Sequence, residues 1–347
     1  MTKKIFIIIN LFYNICVGQN NVATTSAAFL EIGAGARSLA MGGAYVSVAD
    51  DAASLYWNPA GIVNLGTPQL QTYYAPWLVD TQFYYGTSVV PMGGLGSLGF
   101  SYTAITMDEM MVRTVENPEP DEYGQKFDAG NLALGVAYAK KLTDRFSFGF
   151  QTKFIQENIW QMQAKGIAID IGTLFKTRSN INIGMSVSNF GGKLGMEGIN
   201  TLIDHDVDET IYGNNDRING YLDVVDWPLP LLFRFGISKE FSFADSYQLL
   251  IATDAIHPNN NPEYLNVGAE LTINNFLFFR MGKSHFLYKQ KFIEDESEIF
   301  LDHEQGFSFG TGLNYQIPRG PKLTIDYVLT DFGLFNSLAG YSINLSF

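Results

Sequence analysis

Few side chains in this sequence are spaced to do chemistry. The four histidines, His205, His257, His285 and His303, show no metal-ligand spacing. Asp204-x-Asp206-x-Asp208-Glu209 offers the oxygen ligands that Ca²⁺ takes, yet lacks the glycine an EF-hand loop needs at its sixth position. A solvated acidic loop is the simpler reading. No Gly-x-Ser-x-Gly nucleophile element occurs, although spacing does not exclude a hydrolase assembled from distant strands. Gly33-Ala34-Gly35 has some of the glycine content of a nucleotide loop, but no strand precedes it. Lys153, Asp170, Arg234, Glu270 and Asp326 fall on the minority face of strand-like segments, where pairing inside a lumen is expected rather than catalysis. The sequence therefore predicts no enzyme, no cofactor and no metal.

The elements that carry these charges alternate in polarity with the two-residue period of a strand. Phe146, Phe148, Phe150 and Phe154 share one face, as do Ile167, Ile169 and Ile171, and Ile181, Ile183, Met185 and Val187. Similar alternation runs over 231–238, 265–273 and 307–315. The opposite face holds Gly, Ala, Ser and Asn, where a solvated face would favour Lys and Glu. About fourteen strands of ~9–12 residues are predicted, beginning near Gln69, Gln82, Leu95, Gly130, Phe146, Gly166, Ile181, Leu231, Gln248, Tyr264, Phe276, Gly306, Lys322 and Leu338.

Short connections (Pro91 to Gly94, Lys141 to Arg145, Lys176 to Asn180, Asn274-Asn275, Gln316 to Pro321) alternate with long acidic ones at 107–129, 190–230 and 285–305. The long ones share one side of the sheet, as the outer loops of an outer-membrane barrel do. The 347 residues are 46% hydrophobic and only 16% charged, without an apolar run of ~18 that would make a helical span. A net charge of −13 argues against nucleic acid. The fold class expected is all-β: a transmembrane antiparallel β-barrel in the cell outer membrane. A soluble all-β protein is the competing reading.

Lys3, Lys4 and the apolar stretch from Ile5 to Tyr13 resemble a signal peptide, with cleavage after Gly18. Residues 19–66 then form a plug (hatch) segment and 67–347 the barrel. In the plug, Asp50 is expected to cap a short helix over 52–57, and Pro59 to stop it at Asn58. The chain ends Tyr341-Ser342-Ile343-Asn344-Leu345-Ser346-Phe347, which resembles the terminal assembly signal of outer-membrane barrels.

Gly35-Ala36-Arg37, Met41-Gly42-Gly43-Ala44, Ala49-Asp50-Asp51 and Trp57-Asn58-Pro59-Ala60-Gly61 together resemble the N-terminus of the PorV/PorQ family, within the wider FadL-like outer-membrane barrels. The resemblance implies a plug inside a fourteen-stranded barrel. It also implies a role in the Bacteroidetes-type type IX secretion system, with partners among the secretion translocon, exported proteins or a surface-attached, sortase-like protein. The plug residues singled out are Gly35, Arg37, Met41, Gly42, Gly43, Asp50, Asp51, Trp57, Asn58 and Pro59, expected in the periplasmic half of the barrel. Apolar anchors in the long loops, Tyr212, Tyr221, Trp227, Phe286 and Phe292, are candidates for partner binding. The alternative is a FadL-type transporter of hydrophobic small molecules, with Asn58-Pro59 in its gate.

Overall fold

A computed structural model describes residues 24–347 except 116, 122, 207–209, 211–217, 245, 288, 295–296 and 303–305. For 244, 289–294 and 297–302 the description extends to the backbone alone. The proposed signal peptide, residues 1–18, lies outside the described residues, as do Tyr212 and the side chain of Phe292.

Fourteen antiparallel strands close on themselves: β1 Gln69–Pro76, β2 Gln82–Pro91, β3 Ser97–Thr106, β4 Ala129–Thr143, β5 Phe146–Ile159, β6 Met162–Lys176, β7 Ile181–Gly191, β8 Leu232–Ala244, β9 Tyr247–Pro258, β10 Tyr264–Ile273, β11 Leu277–Phe286, β12 Phe307–Gln316, β13 Lys322–Asp331 and β14 Ser337–Ser346. Each pairs with the next. β14 closes the ring on β1, with Ser346 opposite Gln69 and Tyr341 opposite Tyr74. Closure removes every free edge, the condition for a sheet to cross a membrane. No helix among the described residues is long and apolar enough to do so.

The alternation seen in sequence becomes two surfaces. Phe148, Phe150, Phe154, Ile167, Ile169, Ile171, Phe279, Met281, Phe309 and Ile343 are exposed on the outside. Their strand neighbours Ser147, Gln151, Asp170, Arg280, Ser308 and Ser342 are buried within. Apolar side chains facing outward all round, over a polar interior, suit a lipid belt and leave a soluble sandwich without its core.

Strands β4, β5 and β6 run to 15, 14 and 15 residues, longer than the alternation predicts. Their far ends carry Gln156, Asn158, Gln163 and Lys165, so the apolar period fades while pairing continues, and β6 starts at Met162 rather than near Gly166. The strand ends Gln69 and Ser346 and the connections 92–96, 144–145, 177–180, 274–276 and 317–321 define one end, the turn end. At the opposite loop end the connections 107–128, 192–231 and 287–306 are long, but 77–81, 160–161, 259–263 and 332–336 are short, so length does not strictly alternate. The long loops fold back as hairpins, among them Leu202–His205 with Ile218–Tyr221 and Lys193–Leu194 with Trp227–Pro228.

Candidate functional site

The lumen is filled by the chain preceding β1. A 3-10 turn at Ala28–Glu31 leads to α1 (Ala36–Ala40), then to α2 (Ser54–Trp57) and a second 3-10 turn at Pro59–Asn64. All ten plug residues named from the sequence lie in this segment. Gly42 and Gly43, at φ 65° and 75°, terminate α1 in the left-handed region. Their N–H groups donate to Leu39 O and Ser38 O, each at 2.9 Å. A Cβ on Gly42 would lie 2.6 Å from the backbone nitrogen of Lys283, so glycine is required there twice over. Met41, fully buried, presses on β10 and β11, where Gly268 and Gly282 leave room.

The wall has yielded to the plug elsewhere too. A Cβ at Gly149 would meet Pro59 and Ala60 at 2.6 Å; one at Gly172 would meet Asn58 Oδ1 at 2.0 Å; one at Gly184 would meet Val46 O at 2.3 Å. The small residues on the minority face are thus the imprint of the plug backbone.

Asn58 joins plug to wall. Its Nδ2 donates to Val46 O at 2.9 Å and to Thr173 O of β6 at 3.0 Å, while its Oδ1 accepts from Ala60 N–H at 3.1 Å. α2 ends at Trp57, with Asn58 extended before Pro59, as the proline requires. Trp57 Nε1 donates to Ala34 O at 2.9 Å. The helix start differs from the expected cap: Asp51 Oδ1 accepts from Ala53 N–H at 2.9 Å, and Asp50 is drawn away by Arg37. An arginine offers two faces to two carboxylates, and the ion pair outweighs a local turn bond.

Arg37 is the centre of a buried charge network. It forks onto Glu270 of β10 through Nε and Nη2, both at 2.8 Å, and reaches Asp50 at 2.5 Å and the Tyr45 hydroxyl at 3.0 Å through Nη1. Glu270 also accepts from Arg280 of β11 at 2.5 Å, and Arg280 pairs with Asp326 of β13 at 2.6 Å. Tyr45 O–H donates to Asp51 at 2.7 Å. Burial lifts the Asp51 carboxyl to about 6, against the pull of Arg37. Asp254 of β9, fully buried, accepts from the N–H groups of Tyr45 and Val46 at 2.7 and 2.9 Å. Lys153 pairs with Asp170 at 2.9 Å. Sequence reading found Lys153, Asp170, Glu270 and Asp326 as luminal but missed Arg280 and Asp254. Their only signal was an isolated charge on a minority face.

The plug does not stay in the turn-end half of the barrel. Residues 44–64 pack there, but the chain before them climbs to the loop end. Ser26 N–H donates to Pro228 O at 3.0 Å, and Asn260 Nδ2 donates to Thr25 and Glu31 at 3.1 and 3.0 Å. The expected placement of the plug wholly in the periplasmic half of the barrel is corrected accordingly. These long-range bonds to two loop-end connections set the depth of the segment, and local sequence carries no trace of them.

Above the plug, at the loop end, lies a cavity of about 300 Å³. Leu39, Tyr56, Trp57, Trp77 and Ile256 give it apolar walls, and Arg234 lines it. Arg234 stands over Trp57 and Tyr56, 5.5 and 5.7 Å from the ring centroids, and its Nη1 donates to Ser188 Oγ at 2.9 Å. Burial raises the Glu31 carboxyl above its usual range, against the hydrogen bond from Asn260 and the attraction of Arg234. Beyond the cavity, Tyr221 and Trp227 are exposed in the loop at 192–231. Phe286, also exposed, closes β11 rather than standing in a loop. Asp208 and Glu209 of the acidic run lie outside the described residues, and among the described residues no group of His, Cys, Asp and Glu could hold a metal ion.

A closed fourteen-stranded barrel with an apolar belt, a polar interior and a folded plug is an outer-membrane β-barrel. The chain resembles one family in sequence: the model described as Type IX secretion system protein PorV matches residues 16–179, from before the plug to just past β6. No curated protein sequence matches the chain. Among solved structures, the Pseudomonas putida toluene transporter TodX shares the fold at 13% identity and TM-score 0.53, covering 91% of this chain and 99% of its own. The Ralstonia pickettii toluene transporter TbuX does so at 12% identity and TM-score 0.51, covering 90% and 97%. The CymD monoaromatic hydrocarbon channel does so at 11% identity and TM-score 0.52, covering 91% and 98%.

Proposed function

We propose that this protein is a non-enzymatic barrel of the PorV/PorQ type that binds exported or surface proteins at its loop end during type IX secretion. The observation that carries the reading is the match of the PorV model to the plug and the first six strands, where the family's sequence signature coincides with the plug that fills the lumen. The turn end faces the periplasm and the loop end the cell exterior, following the rule of short periplasmic turns. Partners are then met at the loop end, where Tyr221, Leu222, Val225 and Trp227 stand exposed beside Asp223 and Asp226. Apolar anchors inside a polar rim are what a protein interface uses. A secretion translocon, exported cargo and a sortase-like surface protein are the partner classes this reading includes.

One observation favours a second reading, a FadL-type transporter of hydrophobic small molecules. The cavity above the plug has aromatic and aliphatic walls beside Glu31 and Arg234, and is about twice the volume that accommodates benzene in an engineered core, ~150 Å³. Replacing 192–231 by a short turn separates the two. Retention of exported proteins inside the cell or their loss from the surface, with the barrel folded, supports the protein-binding reading. Normal secretion with lost uptake of a hydrophobic solute supports transport.

A further inference from the structure

The charges of this acidic chain are segregated between its two ends. Lys140, Lys141, Arg145, Lys176, Arg178 and Lys239 gather at the turn end, on the adjacent strands and turns from β4 to β8. Pairing makes the arc continuous. Lys140 stands opposite Phe148 and Lys141 opposite Ser147, Lys176 N–H donates to Arg145 O at 2.8 Å, and Lys239 lies opposite Ile181, the first residue of β7. Against these six cations the described residues of the arc hold two carboxylates, Asp144 and Glu240, and the sequence adds Asp245 in the turn after β8, outside the described residues. Among the described residues none of the six has a carboxylate within ion-pair distance. Of the buried cations, Arg37, Lys153 and Arg280 pair with carboxylates, and Arg234 is held by Ser188 and by the rings of Tyr56 and Trp57.

Two of the six also face the lipid side. Lys140 continues the outward set Leu134, Val136 and Tyr138 on β4, and Lys239 continues Phe233, Phe235 and Ile237 on β8. The Lys239 ammonium sits 5.1 Å from the centroid of Phe241. Lysines that emerge from an apolar, aromatic belt where the strands end place their ammonium groups at headgroup depth. Across the arc, the opposite ends of the same strands meet loops rich in Asp and Glu, so attraction of anions is confined to the turn end.

We propose that this rim is a binding site for the headgroups of anionic phospholipids in the leaflet that surrounds the turn end. Lys140 and Lys239, four strands apart along the rim, engage separate headgroup phosphates from the barrel's outer wall, and Arg145, Lys176 and Arg178 meet headgroups from the turns between them. The proposal rests on the membrane location and the charge pattern, and stands whether or not the loop end binds protein. An acidic periplasmic protein would also be attracted by six cations, but it would have no use for the two lysines directed into the belt.

The test is native mass spectrometry of the full barrel in nonionic detergent, with phosphatidylglycerol and phosphatidylcholine supplied in equal amounts. Phosphatidylglycerol should be retained in preference. The preference should fall about tenfold in Lys140→Gln/Arg145→Gln/Lys176→Gln/Lys239→Gln and persist in a loop-end control, Lys165→Gln/Lys193→Gln. Five of the six substituted positions are exposed and Lys239 is half-buried, and protease resistance reports that each variant keeps its barrel. Equal retention of the two lipids overturns the proposal. So does an unchanged preference in the rim variant, or displacement of phosphatidylglycerol by equimolar inorganic phosphate.

Discussion

Substituting Arg37 by alanine should release the plug while leaving the barrel closed. The side chain gives a two-pronged contact to Glu270 and a third bond to Asp50, and its own side chain is 16% exposed. Breaking a buried ion pair by removing one partner costs about 3–5 kcal/mol. The low end applies, because Glu270 keeps Arg280 at 2.5 Å and the Asp50 side chain is half exposed. About 3 kcal/mol raises the released population about a hundredfold. The strands have their own ladder of backbone bonds, so the loss falls on plug docking. A cysteine at Ser54, fully buried in α2, reads that population by its rate of maleimide labelling in a Cys16→Ser background. Labelling should accelerate about a hundredfold in Arg37→Ala and clearly less in Arg37→Lys, which keeps the charge but loses the fork. Labelling unchanged by Arg37→Ala would show that the network is not what retains the plug.

Two further outcomes follow from the same contacts. Gly172→Val places methyl groups where Asn58 and Pro59 sit, with even its Cβ 2.0 Å from Asn58 Oδ1, and should expose Ser54→Cys or block assembly. Gly192→Val, whose Cβ would meet nothing within 4 Å, should do neither when labelling and heat-modifiable migration are compared. Docking should also depend on pH. Asp51 binds its proton more tightly in the docked plug, rising from an ordinary 3.8 to about 6. Its contribution is therefore complete below about pH 4 and is lost as pH rises through about 6, so labelling should increase over that window and Asp51→Asn should flatten the rise.

Much of the barrel was legible in the sequence because each membrane strand has two unlike solvents. Phe148, Phe150 and Phe154 meet lipid while Ser147, Gly149 and Gln151 are buried inside the barrel, and a period of two follows directly. The reading weakened where both faces meet water, as at the far ends of β5 and β6, and in the long loops, whose hairpins carry no apolar alternation. The plug residues were found as a set from their resemblance to a family, and their local roles at Pro59 and Gly42-Gly43 follow from backbone chemistry. Their depth did not follow. It is set by Asn260, Pro228, Asp254 and Ser342, residues 200 or more positions along the chain from those they hold, such as Ser26 with Pro228 and Ala36 with Ser342. Arg280 escaped notice because a lone arginine between Phe279 and Met281 looks no different from a surface charge until Glu270 and Asp326 close on it.

The central claim is that the loop end receives exported or surface proteins. Its most direct test is site-specific photocrosslinking in living cells, with the photoreactive residue at Tyr221 or Trp227 and a silent control at the exposed turn-end residue Arg319. Covalent adducts to exported or surface proteins should form at Tyr221 and Trp227 and be absent at Arg319. Active secretion with no protein adduct at either loop position would contradict the account.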